Sequence, residues 1–367
     1  MLRFLGRLSY RLYIITLVLA VVIVAVLALF RPVTTAIHTA AFAAEVLPSP
    51  VKPQPWLASE PERIVTEFTR ADGSIGTGDI YVIPDGKRRA GVVIFLGANA
   101  AGADDPDVIN LGMALARAGF AVMYYWSPTM GERAQVDAGE ITNLVAVFDH
   151  LRQQDFVDPD RVGLAGFSVG ASFALVAAAD PRIADGIAFV NAFGGYYDTA
   201  DLLVQIAASR AIDNGGGTPW EVDRLTRQVF DNMLTPESTS PAARSLLEGT
   251  DSIATARDRY AELPESFRDE VDSISPSHHI DLWSANTVMR IMHDQGDPLI
   301  PVGESRRMVR ALQQQRPDIP VYYTETDIFR HVRPDAQTDL KSMLRGAFQL
   351  YRHMYHIVAV AQKPSRG

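Results

Sequence analysis

Residues 158–183 read DPDRVGLAGFSVGASFALVAAADPRI. The apolar run Val162–Ala165 has the character of a buried strand, and the alanine-rich stretch from Val169 that of a buried helix. Between them stands Gly166-Phe167-Ser168-Val169-Gly170, a G-x-S-x-G pattern. A chain of this length shows that pattern by chance roughly one time in ten, given ordinary glycine and serine usage. Its weight therefore comes from context: a strand runs straight into it and a helix leaves it. The turn is tight, and a side chain at 166 or 170 would crowd neighbouring backbone. Ser168 then stands at a helix N-terminus, where free amide N–H groups and the helix dipole favour developing negative charge. A dinucleotide site would instead need G-x-G-x-x-G after an early strand, and the chain has none there.

Working outward, Arg63–Thr69 and Asp79–Ile83 read as strands joined by the turn Ala71-Asp72-Gly73-Ser74. Gly91–Leu96, Phe120–Tyr125, Arg161–Gly166 and Gly186–Asn191 read as further strands. Helices at Val108–Ala118, Glu140–Gln153 and Val169–Ala179 alternate with them. The alternation stops at residues 197–285, which read as mainly helical and polar. It resumes with a strand at Thr287–Met292, a helix at Glu304–Gln314, a strand at Pro320–Thr326 and an amphipathic helix at Thr338–Ala361. Such alternation predicts an α/β fold with a doubly wound, mostly parallel sheet, and residues 197–285 as a helical cap inserted between two strands. There is no internal repeat.

A serine hydroxyl needs a base. Of eight histidines, His331 follows the last predicted strand and lies late in the chain, as the order serine, acid, histidine requires. An acid must lie between them, directly after a strand. His293-Asp294-Gln295-Gly296-Asp297-Pro298 follows Thr287–Met292. Asp297 is the first choice, Asp294 the second, and Asp327 a weaker third. The acid holds one imidazole tautomer and stabilises the imidazolium. Acyl transfer also needs donors for an oxyanion. The backbone N–H of Val169 is one. The other is expected in the small-residue loop 97–102, from Ala98, with Asn99 next.

These residues resemble the α/β-hydrolase superfamily, and among its subgroups the dienelactone-hydrolase-like and carboxylesterase-like proteins. Residues 158–183 look like its nucleophile region, and HDQGDPLIPVGESRRMVRAL (293–312) like its acid loop, with Asp297 in the acid's place. His331 falls where the family's histidine falls. The resemblance spans about residues 61–361, with 197–285 as the variable lid. It implies a serine hydrolase that cleaves carboxylic esters of a small-molecule acyl substrate, with Ser168, Asp297 and His331 as the triad and no metal or organic cofactor. Dienelactone hydrolases proper use a cysteine nucleophile, and this chain has no cysteine. Many members carry His-Gly at the oxyanion loop, where this chain has Leu96-Gly97. A peptidase or acyltransferase on the same site, and a non-catalytic binding module on the same fold, are the alternatives.

Composition bounds the rest. The chain has 367 residues, 47% of them apolar, enough for a large core. Residues 1–60 carry five basic and two acidic side chains. A net charge of −9 therefore leaves −12 on the remainder, which argues against a nucleic-acid partner. The absence of cysteine removes disulfides and thiolate metal sites. Leu12–Phe30 is an apolar run of 19 residues with Thr16 as its one polar member, long enough as a helix to cross a bilayer. Arg3, Arg7 and Arg11 precede it, so the positive-inside rule predicts a single-pass anchor with the body on the extracytoplasmic side. A cleaved signal peptide, with Ala41-Phe42-Ala43 as its site, is the competing reading. The expected organisation is an anchor at 1–45, a stiff proline-rich linker at 46–60 and the body at 61–361. The apolar cap residues Leu202, Leu203, Ile206, Trp220, Phe230 and Met233 are candidates for an acyl pocket.

Overall fold

The computed structural model describes residues 14, 16–18, 30–98, 102–213, 216–335 and 338–363. A helix, α1 (Arg31–Val46), precedes β1 (Glu62–Thr69), β2 (Ile75–Val82) and β3 (Arg89–Phe95). Then come α2 (Pro106–Arg117), β4 (Phe120–Tyr125), α3 (Gly139–Arg152), β5 (Val157–Phe167), α4 (Val169–Ala177) and β6 (Ile187–Phe193). After the insertion, β9 (Val288–Asp294), α10 (Gly303–Gln315), β10 (Val321–Thr326) and α11 (Leu340–Ala361) complete the body. The predicted strands and helices of the body all form, within a few residues of the expected ends.

Eight strands make one sheet in the order β1-β2-β4-β3-β5-β6-β9-β10. β1, β2 and β4 pair antiparallel, and every other neighbouring pair is parallel. The central strands are buried on both faces, which is why Val92–Phe95 and Phe120–Tyr125 are continuous apolar runs rather than alternating ones. One core, with α3, α4, α10 and the insertion, fills one face. The other face is covered by α1, α2 and α11. α11 buries Gly346, Leu350, His353, Met354, Ile357 and Val358, the three-and-four spacing of a helix with one apolar stripe. α2 starts on Pro106 behind Asp105, whose carboxylate accepts from the N–H groups of Asp107 and Val108. Such a cap contributes about 1 kcal/mol.

The insertion holds α5 (Thr199–Ala208), α6 (Arg224–Leu234), α7 (Pro241–Glu248), α8 (Ile253–Ala261) and α9 (Glu265–Ser273). It also holds a hairpin, β7 (Arg210–Asp213) with β8 (Gly216–Pro219), which the helical reading of this stretch missed. The cap is tied to the body by Glu304 at the start of α10. Its fully buried carboxylate accepts from Tyr197 N (2.9 Å) and Gln205 Nε2 (2.5 Å) and pairs with Arg307 (2.6 Å).

Two N-terminal expectations need revision. Residues 31–46, read as part of an anchor, form α1, which buries Thr35, Thr39, Phe42 and Ala43 against the body. Residues 46–60 are not an extended spacer. Gln54 is buried and donates to the Ala114 carbonyl (2.8 Å), and the Lys52 ammonium donates to the carbonyls of Ala44, Glu45 and Leu47. Among the described residues no helix is long and apolar enough to cross a membrane. The run Leu12–Phe30 lies almost wholly outside them.

Candidate active site

The site is assembled at the edge of the sheet where the parallel strands end. β5 delivers Gly166 and Phe167, and α4 begins at Val169, leaving Ser168 on the turn with φ +56° and ψ −136°. The turn is held by backbone: Ser168 N donates to Phe193 O at the end of β6 (2.9 Å), and Ala171 N to Ser168 O (2.9 Å). The glycines are sterically required. A Cβ on Gly166 would lie 2.2 Å from Gly170 O, and one on Gly170 would lie 2.3 Å from Phe95 O. A Cβ on Gly97 would lie 2.4 Å from Gly170 N. The loop after β3 therefore rests directly on the first turn of α4, and Ala98 reaches the same pocket as Ser168 and Val169. Asn99, the second choice for an oxyanion donor, lies outside the described residues.

His331 sits between two short strands, β11 (Phe329–Arg330) and β12 (Arg333–Pro334), with φ +66°. Only four non-glycine residues among those described have positive φ, and Ser168 and His331 are two of them. Each such conformation costs roughly 1–3 kcal/mol and survives where surrounding structure imposes it, as at functional sites. His331 Nδ1 donates to Asp297 Oδ2 at 2.6 Å. That bond fixes the tautomer and leaves Nε2, buried and without a hydrogen-bond partner among the described residues, as a free acceptor. The cavity that contains His331 also contains Ser168 and Ala98.

Asp297 is held from every side. Its Oδ1 accepts from Leu299 N (2.8 Å) and Ile300 N (3.1 Å), and its Oδ2 faces His331 Nδ1 and His293 Nε2 (3.3 Å). Burial opposes the charged form. The hydrogen bonds from His293 and His331 outweigh it, and the carboxyl is held well below the ordinary carboxylate range. His293 itself is fully buried, with Nδ1 on Ser305 Oγ (2.7 Å) and Nε2 on Ile300 O (2.9 Å). His293 lies near the end of β9, and its position four residues before Asp297 is the one sequence signal of its place beside the acid.

The runner-up acids do other work. Asp294 accepts from Phe329 N (2.9 Å), Thr326 Oγ1 (3.1 Å) and Gly296 N (3.0 Å), and so ties the end of β9 to the loop that carries His331. Burial pushes its pKa up. Asp327 is paired with Arg345 on α11. Gly194 (φ +66°) closes the floor: its Cβ position is 3.4 Å from both Asp297 Oδ2 and His331 Cε1.

Two cavities meet Ser168. The smaller, about 50 Å³, lies under the cap, and Leu202, Leu203, Ile206, Phe230 and Met233 line it. Trp220, expected with them, does not; its Nε1 donates to Pro298 O (3.2 Å). The larger, about 760 Å³, extends over the opposite face of the sheet. No group of side chains that could hold a metal ion occurs among the described residues.

No family model matches the chain, and no curated protein matches it. Solved structures do. An acylaminoacyl peptidase in complex with Z-Gly-Gly-Phe-chloromethyl ketone aligns with a TM-score of 0.56 at 14% identity, over 84% of this chain and 43% of that one. Dipeptidyl peptidase 4 of Porphyromonas gingivalis aligns at 0.52 and 12%, over 80% and 36%. A post-proline cleaving enzyme from Rickettsia typhi aligns at 0.54 and 13%, over 84% and 38%. The chain thus spans about two-fifths of the length of these proteins. At such identities the likeness is one of fold, and the chain has the α/β-hydrolase fold.

Proposed function

We propose that this chain is a serine hydrolase that cleaves carboxylic esters through an acyl-enzyme. The observation that carries this reading is the convergence on one cavity of Ser168, on its strained turn, and His331, which is hydrogen-bonded to Asp297. In this reading Ser168 Oγ attacks the ester carbonyl while His331 Nε2 takes its proton. The N–H groups of Val169 and Ala98 receive the charge that develops on the carbonyl oxygen. The tetrahedral adduct collapses, His331 returns the proton to the departing alcohol, and Ser168 holds the acyl group. Water, deprotonated by His331, then attacks the acyl-enzyme, and the acid leaves as Ser168 recovers its proton. The ionised Asp297 stabilises the imidazolium in both halves.

The structural neighbours are peptidases, so amide cleavage is the competing reading. The ester reading is favoured by the walls of the large cavity, which are mainly aliphatic and aromatic away from its mouth. Purified protein is expected to react with a fluorophosphonate probe and to hydrolyse p-nitrophenyl esters far faster than peptide p-nitroanilides carrying a free N-terminus. Faster turnover of the anilides would make the protein a peptidase. Absence of probe labelling would make it a non-catalytic relative.

The chain is also proposed to be tethered by Leu12–Phe30, with the body outside the cytoplasm. Arg3, Arg7 and Arg11 before that run, against Arg31 and then Lys52 after it, support this orientation. A reporter enzyme that works only outside the cytoplasm, fused after Gly367, is expected to be active. Activity there from a reporter that works only in the cytoplasm would reverse the topology, and N-terminal sequencing of the mature protein separates an anchor from a cleaved signal.

A further inference from the structure

The cavity that contains Ser168 and His331 is far larger than a short ester needs. At about 760 Å³ it falls within the range of sites that enclose whole small-molecule ligands, roughly 300–1,000 Å³. Its depth does not lie under the cap. Val92 of β3, Leu115 of α2, Ile357 of α11 and Phe42 of α1 line it, so it runs between the sheet and the three helices on that face. Val92 pairs with Gly163 of β5, four residues before that strand ends at Phe167. Four residues of strand, at about 3.3 Å each, separate those levels by about 13 Å. The cavity thus reaches from the edge that carries Ser168 down toward the opposite edge of the sheet.

The two ends differ in chemistry. At the mouth stand Arg330, Arg333, Asp105 and Asp107, and Arg333 spans the gap to Asp105 (3.1 Å) and Asp107 (3.8 Å). Inside, Asn191 is a polar wall residue whose carbonyl is already committed: Oδ1 accepts from His353 Nε2 at 2.8 Å. His353 is completed by Thr324 Oγ1 (3.1 Å). Burial first, and then the charge of Arg290, push His353 down to about 3, so it stays neutral. Apart from the Asn191 amide N–H groups the walls at depth are apolar, and a hydrocarbon's atoms gain dispersion contacts with them.

We infer that this cavity receives the long hydrocarbon chain of an amphiphilic ester, with the scissile carbonyl at Ser168 and the polar end of the substrate at the Arg333–Asp105 mouth. The inference rests on the hydrolase reading for the carbonyl's place, but the cavity's occupant can be tested apart from turnover. The full-length protein and its Ser168→Ala variant are expected to bind cis-parinaric acid, a fluorescent polyene fatty acid, and to release it to palmitate. Leu115→Trp and Ile357→Trp, on two different helices, fill the deep end. Each is expected to weaken palmitate binding at least tenfold and to lower kcat/KM for p-nitrophenyl palmitate at least tenfold. Turnover of p-nitrophenyl butyrate should stay within about twofold, which also reports that each variant is folded. Failure of the protein to bind the fatty acid would overturn the inference, whatever the esters show. So would variants that bind palmitate as the parent does, or that lose butyrate and palmitate turnover equally. Fatty-acid binding without turnover of any ester would leave the cavity assignment standing and overturn the hydrolase reading instead.

Discussion

Replacing Ser168 by alanine is expected to lower kcat for a short ester roughly 10⁴- to 10⁶-fold, in line with removal of the nucleophile from other serine hydrolases. It should also abolish fluorophosphonate labelling, because that reaction requires Oγ to attack phosphorus as fluoride leaves. The substitution is a clean one. The turn is held by Ser168 N on Phe193 O and by Ala171 N on Ser168 O, and neither bond involves the side chain. Alanine has the same Cβ, so the positive φ is no harder to hold than before. The unfolding midpoint of the variant should therefore match that of the parent. Labelling that survives in Ser168→Ala would place the nucleophile elsewhere. Loss of activity together with a large fall in stability would mean that the serine is structural.

Much of this arrangement was legible before the structure. Runs such as Val92–Phe95 and Phe120–Tyr125 are buried on both faces, and a run of that kind announces a central strand. The G-x-S-x-G turn was legible because its glycines meet backbone within 2.6 Å, a constraint that few other residue types satisfy. The order of serine, acid and histidine then narrowed the partners to a few loop residues, and the structure brings Ser168 and His331 to one cavity, with Asp297 hydrogen-bonded to His331. What was not legible has tertiary causes. The β7–β8 hairpin is only four residues a side, and its Gly216–Gly217 start carries no strand pattern. α1 is rich in alanine and follows directly on the long apolar run, so its buried stripe did not stand apart from a membrane segment. The large cavity could not be read at all. Its walls come from α1, α2, α11 and five strands of the sheet distant in sequence, and each apolar wall residue taken alone looks like ordinary core.

The identity of the acid is decided by a pair of substitutions. Asp297→Asn is expected to lower kcat by about 10⁴-fold, and Asp294→Asn by no more than about tenfold. Asp297 meets donors at both oxygens: Leu299 N and Ile300 N at Oδ1, His331 Nδ1 and His293 Nε2 at Oδ2. An amide can match only one side. With its oxygen kept on the two backbone donors, its NH₂ faces His331. That ring then turns its acceptor nitrogen inward and carries its proton on Nε2, where a base is needed. Asp294 makes no such contact. It accepts from Phe329 N, Gly296 N and Thr326 Oγ1, so its loss loosens the loop on which His331 stands, and the expected cost is about 1–3 kcal/mol of stability. The pH dependence separates the two roles further. Asp297 has a depressed pKa in the folded protein, so its ionisation stabilises the fold fully above the unfolded carboxyl range near 4. That contribution disappears only as the pH falls below that range. Asp297 is therefore already ionised wherever turnover can be measured, and a fall in rate on mild acidification comes from another group. Parallel measurements of kcat against pH for the two variants, with their unfolding midpoints, check the assignment. A larger loss of kcat in Asp294→Asn than in Asp297→Asn would transfer the role of the acid to Asp294.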